Sequence, residues 1–212
     1  MQVTVIGGDE PLGERIVDVG LSRGHNIKAL LPAGSDLSTE DDNMSVIDGT
    51  VMDPNAVNNA IRGSDAVVVG LDHAASDLFD ILSTGNQHVL AAMKSKGIDR
   101  YVTAVGAFIQ IDEDKASIKR KSTGVFLDAF APEQLVDVKN FVEDIVTSNM
   151  AWTIVRTPRL TGEGHGGDYR VVDPDALPFS SISRMSVASF ILDCIENDQY
   201  RGEAPCLAPA GP

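Results

Sequence analysis

Cysteine and positive charge are both scarce in this sequence. Cys194 and Cys206 are the two cysteines among 212 residues, and they form neither a disulfide framework nor a metal-ligand spacing. A reducing, cytoplasmic setting is therefore expected. Lys and Arg total 17 against 31 Asp and Glu, a formal net charge of −14. A field of that sign repels nucleic acid and anionic lipid, which argues against both as main partners. It also works against anionic ligands, except where backbone dipoles or a local basic patch oppose it. Long apolar runs are missing too: Asp65-Ala-Val-Val-Val-Gly-Leu is typical, far short of the ~20 residues a membrane span needs. No basic segment precedes the strand-like opening Met1-Gln-Val-Thr-Val-Ile, so no signal peptide is expected. No His/Cys spacing suits a metal, and no G-x-S-x-G elbow suggests a serine hydrolase. Internal repeats, low-complexity tracts and interdomain linkers are likewise absent.

With 43% hydrophobic residues the chain can bury a real core, and one domain over residues 1–212 is expected. Short β-branched runs alternate with stretches of helical period, the pattern of a parallel sheet covered on both faces. Strands are predicted at Val3–Ile6, Ile27–Leu31, Met44–Ile47, Ala66–Leu71, Tyr101–Val105 and Trp152–Arg156. One helix starts at Pro11, buries Leu12, Ile16 and Val19, and stops at Gly24. A second carries Leu78, Leu82, Gly85, Val89 and Met93 on one face, a third Leu135, Val138, Val142 and Ile145. A last one runs from about Met185 to Ile195. The expected fold is α/β, a doubly wound parallel sheet with helices on both faces, strand order 3-2-1-4-5-6 and right-handed crossovers. Two long segments, 106–132 and 158–183, follow strands and should border the crevice at the strands' carboxyl ends, where such sheets bind ligands.

The first strand runs straight into Gly7-Gly8-Asp9-Glu10-Pro11-Leu12-Gly13 and then a helix. A strand, a tight glycine-bearing turn and a helix N-terminus in one βαβ unit form a dinucleotide-binding turn. Gly7, Gly8, Asp9, Pro11, Leu12 and Gly13 are therefore candidate coenzyme contacts, with Gly13 letting the helix sit close to the strand. Glu10 occupies the middle position, where bare backbone should approach pyrophosphate. A carboxylate about 4 Å from one phosphate charge costs roughly 4 kcal/mol at an effective dielectric near 20. A quarter of that is already about fivefold in affinity. Alternatively Glu10 faces solvent, and Asp9 and Glu10 simply suit the positive end of the helix dipole.

From its glycine turn onward the sequence resembles the atypical short-chain dehydrogenase/reductases, the small NAD(P)-binding Rossmann group that includes biliverdin-IXβ (flavin) reductases and NmrA-like regulators. Gly7 and Gly13 match that group's G-A-T-G-x-x-G opening. Leu21-Ser-Arg-Gly-His-Asn-Ile, Gly63-Ser-Asp-Ala-Val-Val-Val and Val89-Leu-Ala-Ala-Met-Lys-Ser-Lys-Gly-Ile-Asp-Arg-Tyr-Val follow in the group's order. So do Trp152-Thr-Ile-Val-Arg-Thr-Pro-Arg-Leu-Thr-Gly and Ser181-Ile-Ser-Arg-Met-Ser-Val-Ala. The resemblance implies NAD or NADP as cofactor and a small-molecule substrate. It also implies Thr50 and Val51 near adenine, and Gly70 and Leu71, with the acid Asp72, near the nicotinamide ribose. Relatives often hold the 2′-phosphate of NADP with an Arg at the end of the second strand; Leu31-Pro32 stands there, which disfavours NADP.

The group's proton-handling residues are missing. The place of its Ser is taken by Gly106, and Leu135 stands four residues before Lys139 where a Tyr-x-x-x-Lys motif would have its Tyr. In the flavin-reductase branch side chains chiefly position the acceptor. By that resemblance Gly106, Ala107, Phe108 and Arg159 border the substrate, with Lys139 and Arg159 as candidate catalytic residues. Lys139 as a solvated helix residue and Arg159 as an exposed loop cation are the plainer readings. Lys115, Lys119, Arg120 and Lys121 either recruit an anion or balance Asp112, Glu113 and Asp114. Phe108, Phe126 and Phe130 either wall a pocket for a flat ring or pack their loop. His25 and His88 read as structural, whereas His73 and His165 fall on crevice-side loops. The expectation is a reductase passing hydride from a nicotinamide to a flat acceptor such as flavin, with a degenerate glycine loop and eroded catalytic residues. The alternative is a non-catalytic, NmrA-like nucleotide sensor or protein-binding regulator. A third possibility is a crevice whose acids now suit a neutral or cationic ligand.

Overall fold

The structure, a computed structural model, describes residues 1–35, 37, 41–71, 81–107, 109, 132–162, 169–173 and 181–210. Its elements run β1 (Gln2–Ile6), α1 (Pro11–Ser22), β2 (Asn26–Leu31), β3 (Met44–Asp48), α2 (Pro54–Ile61), β4 (Ala66–Val69) and α3 (Ile81–Lys96). They continue with β5 (Arg100–Gly106), α4 (Pro132–Val146), β6 (Ala151–Thr157), β7 (Arg159–Thr161), β8 (Tyr169–Val172), β9 (Ser181–Ser183), α5 (Arg184–Glu196) and β10 (Cys206–Pro209).

Among the described residues the main sheet has eight strands in the order β3-β2-β1-β4-β5-β6-β10-β8. The first six pair in parallel, as expected from the alternation of strand and helix. β10 continues the sheet in parallel at Cys206 opposite Arg156, and β8 closes that side antiparallel to β10. β7 and β9 pair separately, in parallel. These four added strands are three or four residues long, too short to carry a period. The helix α2 had a legible start: Asp53 accepts from the Asn55 amide at 2.8 Å and Pro54 takes the first helical position.

A strand buried on both faces must be apolar at every position, and β4 is. Its Ala66 and Val68 join one core cluster, in which α1 and α5 cover the sheet; Val67 and Val69 join the other, under α2, α3 and α4. Each such valine stabilises the fold by about 1.5–3 kcal/mol. The expected strand through Leu71 ends at Val69, and the chain leaves the sheet at Gly70. On α4 the predicted core stripe is seen in Val138, Val142 and Ile145, with Phe141 beside them.

The ends of the strands opposite the crevice are tied by charge. Arg100, 3% exposed, donates to the Ala151 carbonyl and the Thr153 hydroxyl (both 2.9 Å) and to the Cys194 and Gln199 carbonyls (both 2.8 Å). It thereby joins β5 and β6 to the end of α5, and burial pulls its pKa below the ordinary guanidinium value. Near the surface, Arg23 bridges Asp193 (2.7 Å) and Glu196 (3.0 Å), His25 meets Glu196 at 2.6 Å, and the Tyr169 hydroxyl donates to Asp193. His25 is thus structural, as expected.

Candidate functional site

The order of the strands reverses between β1 and β4, so a crevice opens beyond their carboxyl ends. Gly7 leaves β1 with φ +75°, its amide donating to the Leu30 carbonyl at 3.2 Å, and turns the chain toward α1. A Cβ on Gly13 would lie 1.8 Å from the Gly7 carbonyl oxygen, and one on Gly70 would lie 3.1 Å from the Gly13 Cα. Glycine is therefore compulsory at Gly13 and strongly favoured at Gly70. Here the end of β1, the start of α1 and the exit of β4 meet backbone to backbone. Gly8 is close against Ala29, whose Cβ would be 3.0 Å from one on the glycine.

Glu10 is the extended residue before α1, and Pro11 opens the helix. The first helical hydrogen bond runs from the Glu14 amide to the Glu10 carbonyl (2.9 Å). The Leu12 and Gly13 amides precede it and sit at the positive end of the helix dipole, as donors for an anion. Pro11 itself brings no donor. The half-buried Glu10 keeps its stem over the turn, since its Cγ would lie 3.4 Å from a Cβ on Gly7. Leu71 Cδ2 would be 2.8 Å from that same Cβ. The two side chains thus overhang one glycine. Asp9 points the other way: its carboxylate accepts from the Ser35 hydroxyl at 2.9 Å, in the loop that follows β2.

Beyond β3, Gly49 donates to the Leu31 carbonyl (2.9 Å), and a Cβ there would be 2.3 Å from the Ala56 Cβ. Thr50 is exposed and its hydroxyl accepts from the Met52 amide at 3.3 Å. Val51 is buried, its carbonyl 2.9 Å from the His88 Nδ1 and its Cγ2 2.4 Å from where a Gly85 Cβ would be. Across the sheet, Gly106 ends β5 opposite Thr157, and the Ala107 amide donates to the Thr157 carbonyl (2.8 Å). Arg159 is exposed at the start of β7, two residues past β6, at the same end of the sheet. Lys139 is exposed on α4, one residue from the core-facing Val138. The strand and turn geometry therefore gathers Gly7, Gly8, Asp9, Pro11, Leu12, Gly13, Gly70 and Leu71 around one turn. Gly106, Ala107 and Arg159 lie at neighbouring strand ends.

Phe108, Asp72, His73, His165, the basic cluster at 115–121, Phe126 and Phe130 lie outside the described residues, as does the side chain of Leu135. Three neighbours of the site were not singled out from sequence for the parts they play. His88, read as packed, also holds Val51. Gly85 leaves room for that residue. Asp137, 4% exposed, accepts from the Leu82 amide (3.2 Å) and the Ser83 amide (3.0 Å), capping α3 from α4. Gly85 inside a helical run was the available signal. Among the described residues no cluster of His, Cys, Asp and Glu could hold a metal, and no helix is long and apolar enough to cross a membrane.

A doubly wound sheet with a glycine turn at its switch point defines a dinucleotide-binding protein of Rossmann type. The chain belongs to the NAD(P)H-binding family, whose description matches residues 7–198. Solved structures of the same fold include a short-chain dehydrogenase/reductase from Veillonella parvula DSM 2008 in complex with NADP. It is 16% identical with a TM-score of 0.79, over 99% of this chain and 95% of that one. The oxidoreductase ylbE from Lactococcus lactis superposes with TM-score 0.80 at 15% identity, over 99% and 91%. ChuY, an anaerobillin reductase from Escherichia coli O157:H7, gives 0.75 at 15% identity, over 99% and 97%. The atypical short-chain reductase resemblance seen in the sequence agrees with these findings.

Proposed function

We propose that the chain is an NAD(P)H-dependent reductase acting on a flat acceptor such as a flavin, with a coenzyme grip weakened by Glu10. The observation that carries this reading is the Gly13–Gly7 approach: the backbone contact such a turn needs is kept, while the Glu10 stem folds over the same turn. The Leu12 and Gly13 amides hold the pyrophosphate, Gly49–Val51 hold the adenine, and Gly70 and Leu71 border the nicotinamide ribose. Nicotinamide, when bound, supplies a hydride to an acceptor stacked against it. Gly106 and Ala107 present little side chain there, which leaves space for a planar ring, and Arg159 attracts an anionic group on it. With glycine at 106 and leucine at 135, neither position donates a proton; the acceptor takes it from water, which suits flavins better than simple ketones.

A second reading, a non-catalytic sensor like the NmrA-type regulators, is favoured by those same two replacements. Titration with NADH followed by flavin or quinone separates the two. The reductase reading expects weak saturable binding, about fivefold to tenfold tighter in Glu10→Gly, and loss of NADH absorbance on adding flavin. Binding without turnover supports the sensor. Tight wild-type binding that Glu10→Gly leaves unchanged overturns the weakened grip.

A further inference from the structure

We infer that Asp9 is the residue by which the site selects NAD over NADP. This rests on the coenzyme-binding reading above and deepens it. In open sheets of this type the adenosine 2′ group is read just past the second strand, usually by an acidic side chain carried there, which accepts from the ribose hydroxyls. Here β2 ends at Leu31, and the first acid after it, Asp36, lies outside the described residues; Pro32-Ala33-Gly34-Ser35 holds none. The carboxylate arrives from the opposite wall instead. Asp9, in the glycine turn, reaches over and accepts from the Ser35 hydroxyl at 2.9 Å, four residues beyond the end of β2.

The segment past β2 is shaped for that contact. The Ser35 amide donates to the Pro32 carbonyl at 3.0 Å, and Gly34 has φ +86°, so the chain doubles back and brings the hydroxyl toward the glycine turn. One carboxylate oxygen accepts from the Ser35 hydroxyl; the other, among the described residues, can accept from a ribose hydroxyl. A 2′-phosphate brings a dianion to the same place and can give neither oxygen a proton. Among the described residues, the cations carried by β2 and α1 have other partners. Lys28 of β2 donates to the Arg62 carbonyl, and Arg15 of α1 pairs with Asp18 at 2.8 Å and Glu14 at 3.8 Å. Residues 32–35 contain no Lys or Arg, and Pro32 cannot donate from its backbone. The acid is thus supplied by the turn itself, and the selection needs no charged residue on β2.

The test is the ratio of NADPH to NADH dissociation constants, measured by titration of the full chain. The same ratio is measured for adenosine 2′,5′-bisphosphate against 5′-AMP, which isolates the adenosine half. The wild type should bind the form without the 2′-phosphate about tenfold tighter, and the preference should shrink as salt is raised. Asp9→Asn keeps an oxygen for the Ser35 hydroxyl but removes the charge. It should bring both ratios below about threefold with little change in melting temperature. A wild type that binds NADPH as tightly as NADH, or a ratio that Asp9→Asn and salt leave untouched, overturns the assignment while leaving coenzyme binding standing. Failure of both dinucleotides to bind would overturn the assignment together with the reading beneath it.

Discussion

His88 and Val51 are joined across two elements: the imidazole Nδ1 lies 2.9 Å from the Val51 carbonyl oxygen. A carbonyl can only accept, so Nδ1 carries the proton in this contact. Gly85, one turn earlier on α3, vacates the space that Val51 fills. The segment after β3 is therefore set by a helix that arrives 30 residues later in the chain. His88→Ala should cost about 1 kcal/mol of stability and weaken 5′-AMP binding more than nicotinamide mononucleotide binding. His88→Asn, whose amide can donate to the same carbonyl, should recover much of both. Equal losses for the two half-ligands would remove His88 from any positioning part.

Gly13→Ala places a methyl group 1.8 Å from the Gly7 carbonyl oxygen. Either α1 moves away from β1 or the turn opens, and coenzyme binding should fall beyond detection with a marked drop in melting temperature. Gly162→Ala is the matched control, since its Cβ would meet nothing nearer than the Arg184 Nη1 at 4.0 Å. Unaltered NADH titration of Gly13→Ala would contradict the backbone contact.

Arg100→Met removes the guanidinium bonds to the part-buried Ala151 and Gln199 carbonyls and to the buried Cys194 carbonyl, which keeps the Gln199 amide as donor. Hydrogen bonds to a charged donor are each worth about 1.5–3 kcal/mol, so a loss of about 3 kcal/mol is expected in urea unfolding. Arg100→Lys should recover only part, because one ammonium cannot reach both strands and helix as the planar fork does. A variant as stable as the wild type would show the tie to be idle.

Alkaline pH should destabilise the fold. Burial pushes the Cys194 thiol up to about 12 and lifts the Tyr101, Tyr169 and Tyr200 phenols above their ordinary value. The folded chain therefore holds these protons more tightly than the unfolded chain. Below pH about 8.5 both states keep them and the stability is fully present; as pH climbs toward 12 the unfolded chain releases them first and stability falls. Melting temperatures taken between neutral and strongly alkaline pH should decline, less steeply in Cys194→Ala. A flat or rising profile would refute the sign.

How much of this was legible before folding depends on where each signal sits in the chain. α1 announces itself through Pro11 and Gly24, and β4 through an unbroken apolar run, because burial on both faces removes alternation. Shortness, by contrast, hides Cys206–Pro209 and the pair β7 and β9, where three or four residues are too few to distinguish a strand from a loop. At the site the glycine turn is local and readable. The Asp9–Ser35 and His88–Val51 contacts join residues 26 and 37 positions apart, and no period relates them. The resemblance puts Thr50 near adenine; its hydroxyl accepts from the Met52 amide, a detail of one turn that composition does not reveal.

The bare main chain around Gly7, Gly13 and Gly70 has one more consequence. Peptide groups are the same whatever the sequence, so chemical choice in this crevice is delegated to the few side chains that lean over it. Glu10 and Leu71, which overhang Gly7, and Asp9, which faces Ser35, form a small tuning panel on an unchanging chassis. Under the proposed function, single replacements there should alter which guest is admitted without asking the scaffold to be rebuilt.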